Sequence, residues 1–178
     1  MIKNNINIDP EERRQMAIEN FKKGFNCCQS VLLAFSDVIN ADPEMLKTIG
    51  SGFGGGMGRL REVCGAFSGM VMMAGFISPA CNPEIKEERT KNYALVQHFA
   101  ERFRTENGGS VVCRDLLGLS KSTSTESPEP SDRTAEYYKK PSALSPMVSD
   151  AFAQPSVAIP STESRMSWIS STSWRTMR

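Results

Sequence analysis

Residues 50–75, GSGFGGGMGRLREVCGAFSGMVMMAG, restrict the possible folds more than any other stretch of the chain. Six glycines fall between Gly50 and Gly58, so the backbone there is free to take positive φ and to lie close to other groups. The glycine-rich loop runs into a small-residue helix predicted over 63–75. Glycines inside a helix cost about 1 kcal/mol each against alanine, so helix propensity does not explain Gly65 and Gly69. Standing four apart, they share one face, and that spacing predicts another backbone packed closely against them. Cys64 lies at the edge of this face, while Phe67, Met70 and Ala74 supply bulk.

Two nucleotide motifs can be set aside. Gly50-x-Gly52-x-x-Gly55 has the form of a dinucleotide fingerprint, but that fingerprint must follow a strand, and residues 43–49 read as helix. No Lys-Ser or Lys-Thr follows the glycines, which excludes a Walker phosphate loop. Arg59 and Arg61 put positive charge beside Cys64, and cations and helix starts both favour thiolate. Cys64 is therefore a candidate reactive thiol, with an inert buried cysteine as the competing reading.

A length of 178 residues allows one domain with a core and a tail. The formal charge of +1 gives no electrostatic case for nucleic acid or a membrane surface. The start, MIKNNINIDPEERR, lacks the apolar stretch of a secretory signal, and the apolar run at 63–77 is short of the roughly 20 residues that span a bilayer. A cytoplasmic protein is expected. In that compartment Cys27, Cys28, Cys64, Cys81 and Cys113 suggest catalytic, redox or metal-binding thiols rather than structural disulfides. There is no Cys-x-x-Cys, and the single histidine, His98, reads as a solvated helix-face residue, which leaves little for a zinc site or a Cys–His pair.

Asp9-Pro10 followed by two glutamates predicts a helix that Gly24 ends. Asn26 caps a second helix, predicted over 27–39, whose apolar arc is wide enough to be largely buried. Asp42-Pro43 opens a third. Asn82-Pro83 reads as another start, of a helix running to about Glu106 with Ile85, Tyr93, Val96, Phe99, Ala100 and Phe103 facing the core. Ser110 caps a last short helix over 111–117, closed by Gly118. No stretch up to 118 shows sustained strand alternation. Residues 1–118 read as an all-α bundle of about five or six helices. Cys27, Cys64 and Cys113 each fall near a helix start, an arrangement able to bring three thiols to one end of the bundle.

Beyond Gly118 the composition changes: every glycine lies at or before that residue, and both tryptophans lie after it. Residues 121–132 form a linker by composition, and 119–178 read as a Ser/Pro-rich, poorly ordered tail with short helices predicted at 132–140 and 147–153.

Taken in order, the motifs Asn26-Cys27-Cys28-Gln29-Ser30-Val31-Leu32, Ser51-Gly52-Phe53-Gly54-Gly55-Gly56-Met57-Gly58 with Cys64-Gly65-Ala66-Phe67-Ser68-Gly69, and Cys113-Arg114-Asp115-Leu116-Leu117-Gly118 resemble the redox-active family named C_GCAxxG_C_C. The resemblance covers residues 12–118 and nominates Cys27, Cys64 and Cys113. Cys28 stands where the family has a small residue, and Cys81 matches no motif. The family's fourth cysteine would follow Tyr137-Tyr138-Lys139-Lys140-Pro141, where this chain has Ser142, so the C-terminus reads as altered or frame-shifted.

The resemblance implies a thiol/disulfide or electron-transfer role, that of an oxidoreductase with an unidentified redox partner. One alternative is an iron–sulfur cluster protein, with Cys27, Cys64 and Cys113 as metal ligands only if a cluster is bound. A cluster usually takes four thiolates, which would require Cys28, Cys81 or a homodimer partner. Gly54, Gly55, Gly56 and Arg59 are candidate cofactor-binding positions. The other alternative is a non-enzymatic helical module whose cysteines are small core residues. Cys64 is expected to be the most reactive thiol, Cys27 and Cys64 to lie together, Cys113 to approach the same end, and Cys81 to stand apart.

Overall fold

A computed structural model describes residues 8–119, and all its regular elements are helical. They are α1 (Pro10–Lys22), α2 (Cys27–Leu33), α3 (Pro43–Gly50), a 3-10 turn at Ser51–Phe53, α4 (Gly54–Met57), α5 (Gly65–Ile77), α6 (Lys86–Glu106) and α7 (Cys113–Leu116). The all-α expectation holds over these residues. The expected tail beyond 119 and its two short helices lie outside them.

Capping chemistry sets the first three helix starts. Asp9 accepts from Glu11 N–H and Asp42 from Glu44 N–H, each ahead of a proline in the first turn. Asn26 and Gln29 form a reciprocal capping box on α2. The Asn26 side-chain amide also donates to the carbonyls of Gly50 and Ser51, and Gln29 donates to that of Lys47. The start of α2 is thereby tied to the end of α3.

α2 is the centre of the bundle. α1, α3 and α5 pack around it, and α6 covers the far side of α5. Cys28, Leu32, Phe35 and Val38 are fully buried. The glycine face of α5 meets α2 as expected. A Cβ on Gly69 would stand 3.1 Å from both the Cys28 carbonyl oxygen and Val31 Cβ. On the other side of α5, the Phe67 ring packs 5.5 Å, centroid to centroid, from Phe103 of α6.

Several elements differ from the expectation. α2 ends at Leu33, and residues 34–40 continue as tight turns whose N–H groups reach back three residues, as from Phe35 to Leu32 and from Val38 to Phe35. Ala34, Phe35, Val38 and Ile39 stay buried, so apolar patterning alone could not distinguish this stretch from helix. Asn82-Pro83 makes a turn, with Asn82 accepting from Glu84 N–H, and α6 begins four residues beyond Asn82. Ile85 and Tyr93 are consequently exposed, and Leu95 takes the core position beside Phe99 and Phe103. Arg13 of α1 is buried, its guanidinium bidentate on Asp37 at 2.6 and 3.0 Å and donating to the Ala34 carbonyl. This bond fastens α1 to the turns after α2.

Candidate functional site

The glycine loop winds in the unusual direction. Gly55, Gly56, Met57, Gly58 and Arg59 take φ between 59° and 74°, and Arg61 follows at 65°. Left-handed backbone costs an ordinary L-residue about 1–2 kcal/mol, so Met57, Arg59 and Arg61 are held there by their surroundings. Part of that hold is a set of backbone bonds from Arg59 N–H to Gly54, Arg61 N–H to Gly55 and Glu62 N–H to Gly56. The chain leaves the loop extended and pairs with residues just ahead of α7. Val63 and Val112 form an antiparallel bridge; Cys64 N–H donates to the Val111 carbonyl at 2.8 Å, and Cys113 N–H to that of Glu62 at 2.6 Å. In an antiparallel pair, residues one step either side of a bridge share a face, which places Cys64 and Cys113 diagonally across it.

The three motif cysteines each begin a helix. Cys27 is the first residue of α2, Cys64 caps α5, and Cys113 is the first residue of α7. A Cβ on Gly65 would lie 2.5 Å from Cys27 Sγ and 2.6 Å from the Phe53 carbonyl oxygen. One on Gly56 would lie 2.6 Å from Cys113 Cβ. Two glycines thus leave the space that two of the cysteines occupy. Cys27 lies against the residue that follows Cys64, and Cys113 lies across the bridge from Cys64. The Cys64 thiol, 1 % exposed, is pushed up to about 12, chiefly by burial. Negative charge on Cys27, and more weakly on Cys113, pushes the same way, while the N–H groups of Phe67 and Ala66 pull it down. The structure therefore groups these three side chains.

One expectation needs correction. Cys64 is not a lowered-pKa thiol: burial outweighs the helix start, and the arginines contribute nothing resolvable to its shift. Arg59 points into solvent, whereas Arg61 is 1 % exposed. The loop glycines lie close against their neighbours. Gly54 is filled by Asn26, whose Cβ would meet a Gly54 Cβ at 2.7 Å, Gly56 is filled by Cys113, and Gly55 is buried. Cys28, beside Cys27, is fully buried and its thiol is also pushed up to about 12, by burial first and then by Cys27. Cys81 is exposed in the loop before α6, and His98 is exposed on α6. The Val63–Val112 bridge was missed in the sequence, because one pair of residues leaves no alternation to find.

The family model described as "Putative redox-active protein (C_GCAxxG_C_C)" matches residues 25–147. The chain belongs to this family. The match takes in all three motif cysteines and runs past Gly118, through Tyr137–Pro141 and Ser142. No curated protein and no solved structure matches the chain significantly. An iron–sulfur cluster, raised by the cysteine content of this C_GCAxxG_C_C chain, can be tested on its donor set. Among the described residues no group of three or more Cys, His, Asp or Glu side chains is placed to hold a metal ion. The described residues therefore do not supply a cluster's donor set on their own. No described helix is long and apolar enough to cross a membrane.

Proposed function

We propose that this protein is a dithiol redox protein in which Cys64 and Cys27 interconvert between two thiols and a disulfide, with Cys113 as a third participant. The carrying observation is the grouping of Cys27, Cys64 and Cys113 at three helix starts around Gly65 and the Val63–Val112 bridge. None of the three is in a disulfide. The electron acceptor is a disulfide, of a partner protein or a small molecule: its S–S bond is broken and two protein thiols give up two electrons and two protons. Residues 1–118 carry this chemistry on the proposed division of the chain. The high pKa of Cys64 makes the reduced, closed protein slow to react and reserves exchange for moments when the site opens.

The same burial favours a second reading, in which the cysteines are inert core residues of a helical binding module. Equilibration in glutathione redox buffers, followed by acid quench and mass mapping, separates the two. The dithiol reading expects a Cys27–Cys64 disulfide with a defined midpoint. Four thiols that stay reduced at every poise and alkylate only on unfolding would establish the inert core instead.

A further inference from the structure

The three cysteines do not occupy equivalent places. Cys64 is the shared neighbour: Gly65, next to it in the chain, touches Cys27 Sγ, and the bridge sets Cys113 across from it. Cys27 lies within the main core, among Val31, Leu32 and Ala66. Cys113 belongs instead to a small cluster whose only other buried member among the described residues is Leu117, with Leu116 and Leu119 packed on it. α7 is a single turn with one buried residue, joined to 61–62 by the bridge bonds and packed on Gly56 of α4 among its contacts. An element with so little apolar burial opens locally at lower free energy than α2 or α5, which open only with the bundle.

Resting on the dithiol reading, we infer that the three thiols form an ordered relay in which Cys113 receives oxidising equivalents from outside, Cys64 passes them on, and Cys27 stores them. When α7 opens, the Cys113 thiol loses its proton to solvent and attacks an external disulfide. A Cys113 mixed disulfide forms and one external thiol leaves. Cys64 sulfur then attacks Cys113 Sγ, expelling the second external thiol, which takes the Cys64 proton. Cys27 sulfur finally attacks Cys64 Sγ; the Cys64–Cys113 bond breaks, Cys27–Cys64 forms, and the Cys27 proton passes to Cys113. In sum, one external disulfide is reduced to two thiols and the Cys27 and Cys64 thiols are oxidised to one disulfide. The last step needs no oxidant, since one S–S bond replaces another. The burial that holds Cys64 protonated fits a thiol reached only from inside the protein.

The test exposes the full chain to oxidised glutathione, quenches with acid at intervals, and maps the disulfides by mass. The expected order is glutathione on Cys113, then Cys64–Cys113, then Cys27–Cys64. Cys27→Ser should stop at Cys64–Cys113, and Cys64→Ser at the Cys113 mixed disulfide. Cys113→Ser should still reach Cys27–Cys64, slowed about tenfold or more because the bundle itself must open. The relay is overturned by glutathione reaching Cys64 or Cys27 first in the wild-type chain, or by Cys113→Ser oxidising at the wild-type rate. The wild-type time course decides the order even if a variant fails to fold. A slow but complete Cys27–Cys64 disulfide formed without a Cys113 intermediate would sink the relay and leave the dithiol reading standing; no disulfide in the wild-type chain would sink both.

Discussion

α5 and α7 both start at a cysteine, and one antiparallel bridge ties the two starts together, yet they are held by different means. α5 is buried along most of its first ten residues, with its glycines against α2 and Phe67 against α6. α7 has four residues, one of them buried, and is joined to 61–62 by backbone hydrogen bonds. A thiol can be positioned by packing or by pairing. Packing makes its position as stable as the whole fold, whereas pairing leaves it free to move alone.

The sharpest way to break this contrast is at Gly65. Gly65→Ala puts a methyl 2.5 Å from Cys27 Sγ and 2.6 Å from the Phe53 carbonyl, where neither α2 nor the loop has slack. Overpacking of this kind should cost about 3 kcal/mol and lower the melting temperature by on the order of 10 °C. An unchanged melt would show that α5 is not locked onto α2.

Alkaline pH should come next. Cys28 and Cys64 ionise near their ordinary value of 9.0 when unfolded but only at about 12 when folded. A folded pKa raised above the unfolded one contributes stability that is complete below the unfolded value and is lost as pH rises toward the folded one. Denaturant midpoints should therefore fall between about pH 9 and 12, and Cys28→Ala should flatten the decline. An equally steep decline in Cys28→Ala would place the titration in other groups.

Gly56→Ala should act on α7 and on the loop end at 61–62 that pairs with it. Its Cβ meets Cys113 Cβ at 2.6 Å, and φ is +74°. The left-handed strain alone costs about 1–2 kcal/mol. Displacement of α7 relieves the Cys113 contact, but the Cβ also meets Glu62 N at 2.8 Å and the Arg61 carbonyl carbon at 3.0 Å, so the loop end at 61–62 must shift with it. Faster amide exchange at 61–64 and 113–119 with a melt lowered less than in Gly65→Ala is the expected result. A melt lowered as far as in Gly65→Ala would put α7 in the same cooperative unit as α5.

The smallest effect should come from ending the chain at Lys121. On the proposed division, unfolding stays cooperative and within about 0.5 kcal/mol of the full chain. A larger loss would mean that later residues hold α7, and the contrast with α5 would then need them.

What the sequence disclosed followed from the range of each signal. Asp9-Pro10 and Asp42-Pro43 act within one turn, so α1 and α3 were legible at their starts. Gly65 and Gly69 betrayed a close helix contact because nothing else explains glycine inside α5. Asn82-Pro83 carries the same local signal yet makes only a turn, since the dipeptide serves both purposes. The three thiols were legible as helix starts, but not their protonation, because charge beside Cys64 is visible in sequence and burial is not. Arg13 was unreadable as a core residue for the same reason: Asp37 lies 24 positions away.

The left-handed run from Gly55 to Arg59 sorts the loop's glycines by chirality. At Gly54 and Gly65 a side chain is excluded by volume, since neighbours fill the site. At Gly58 volume is no obstacle: a Cβ would meet nothing nearer than the Gly52 carbonyl oxygen at 3.9 Å, and only the φ of +61° stands against it. Met57 and Arg59 show that a side chain can be carried at that handedness, at a cost in strain. Position 58 is thus a site for the mirror-image residue. D-alanine there would adopt the backbone it prefers, where L-alanine would be strained.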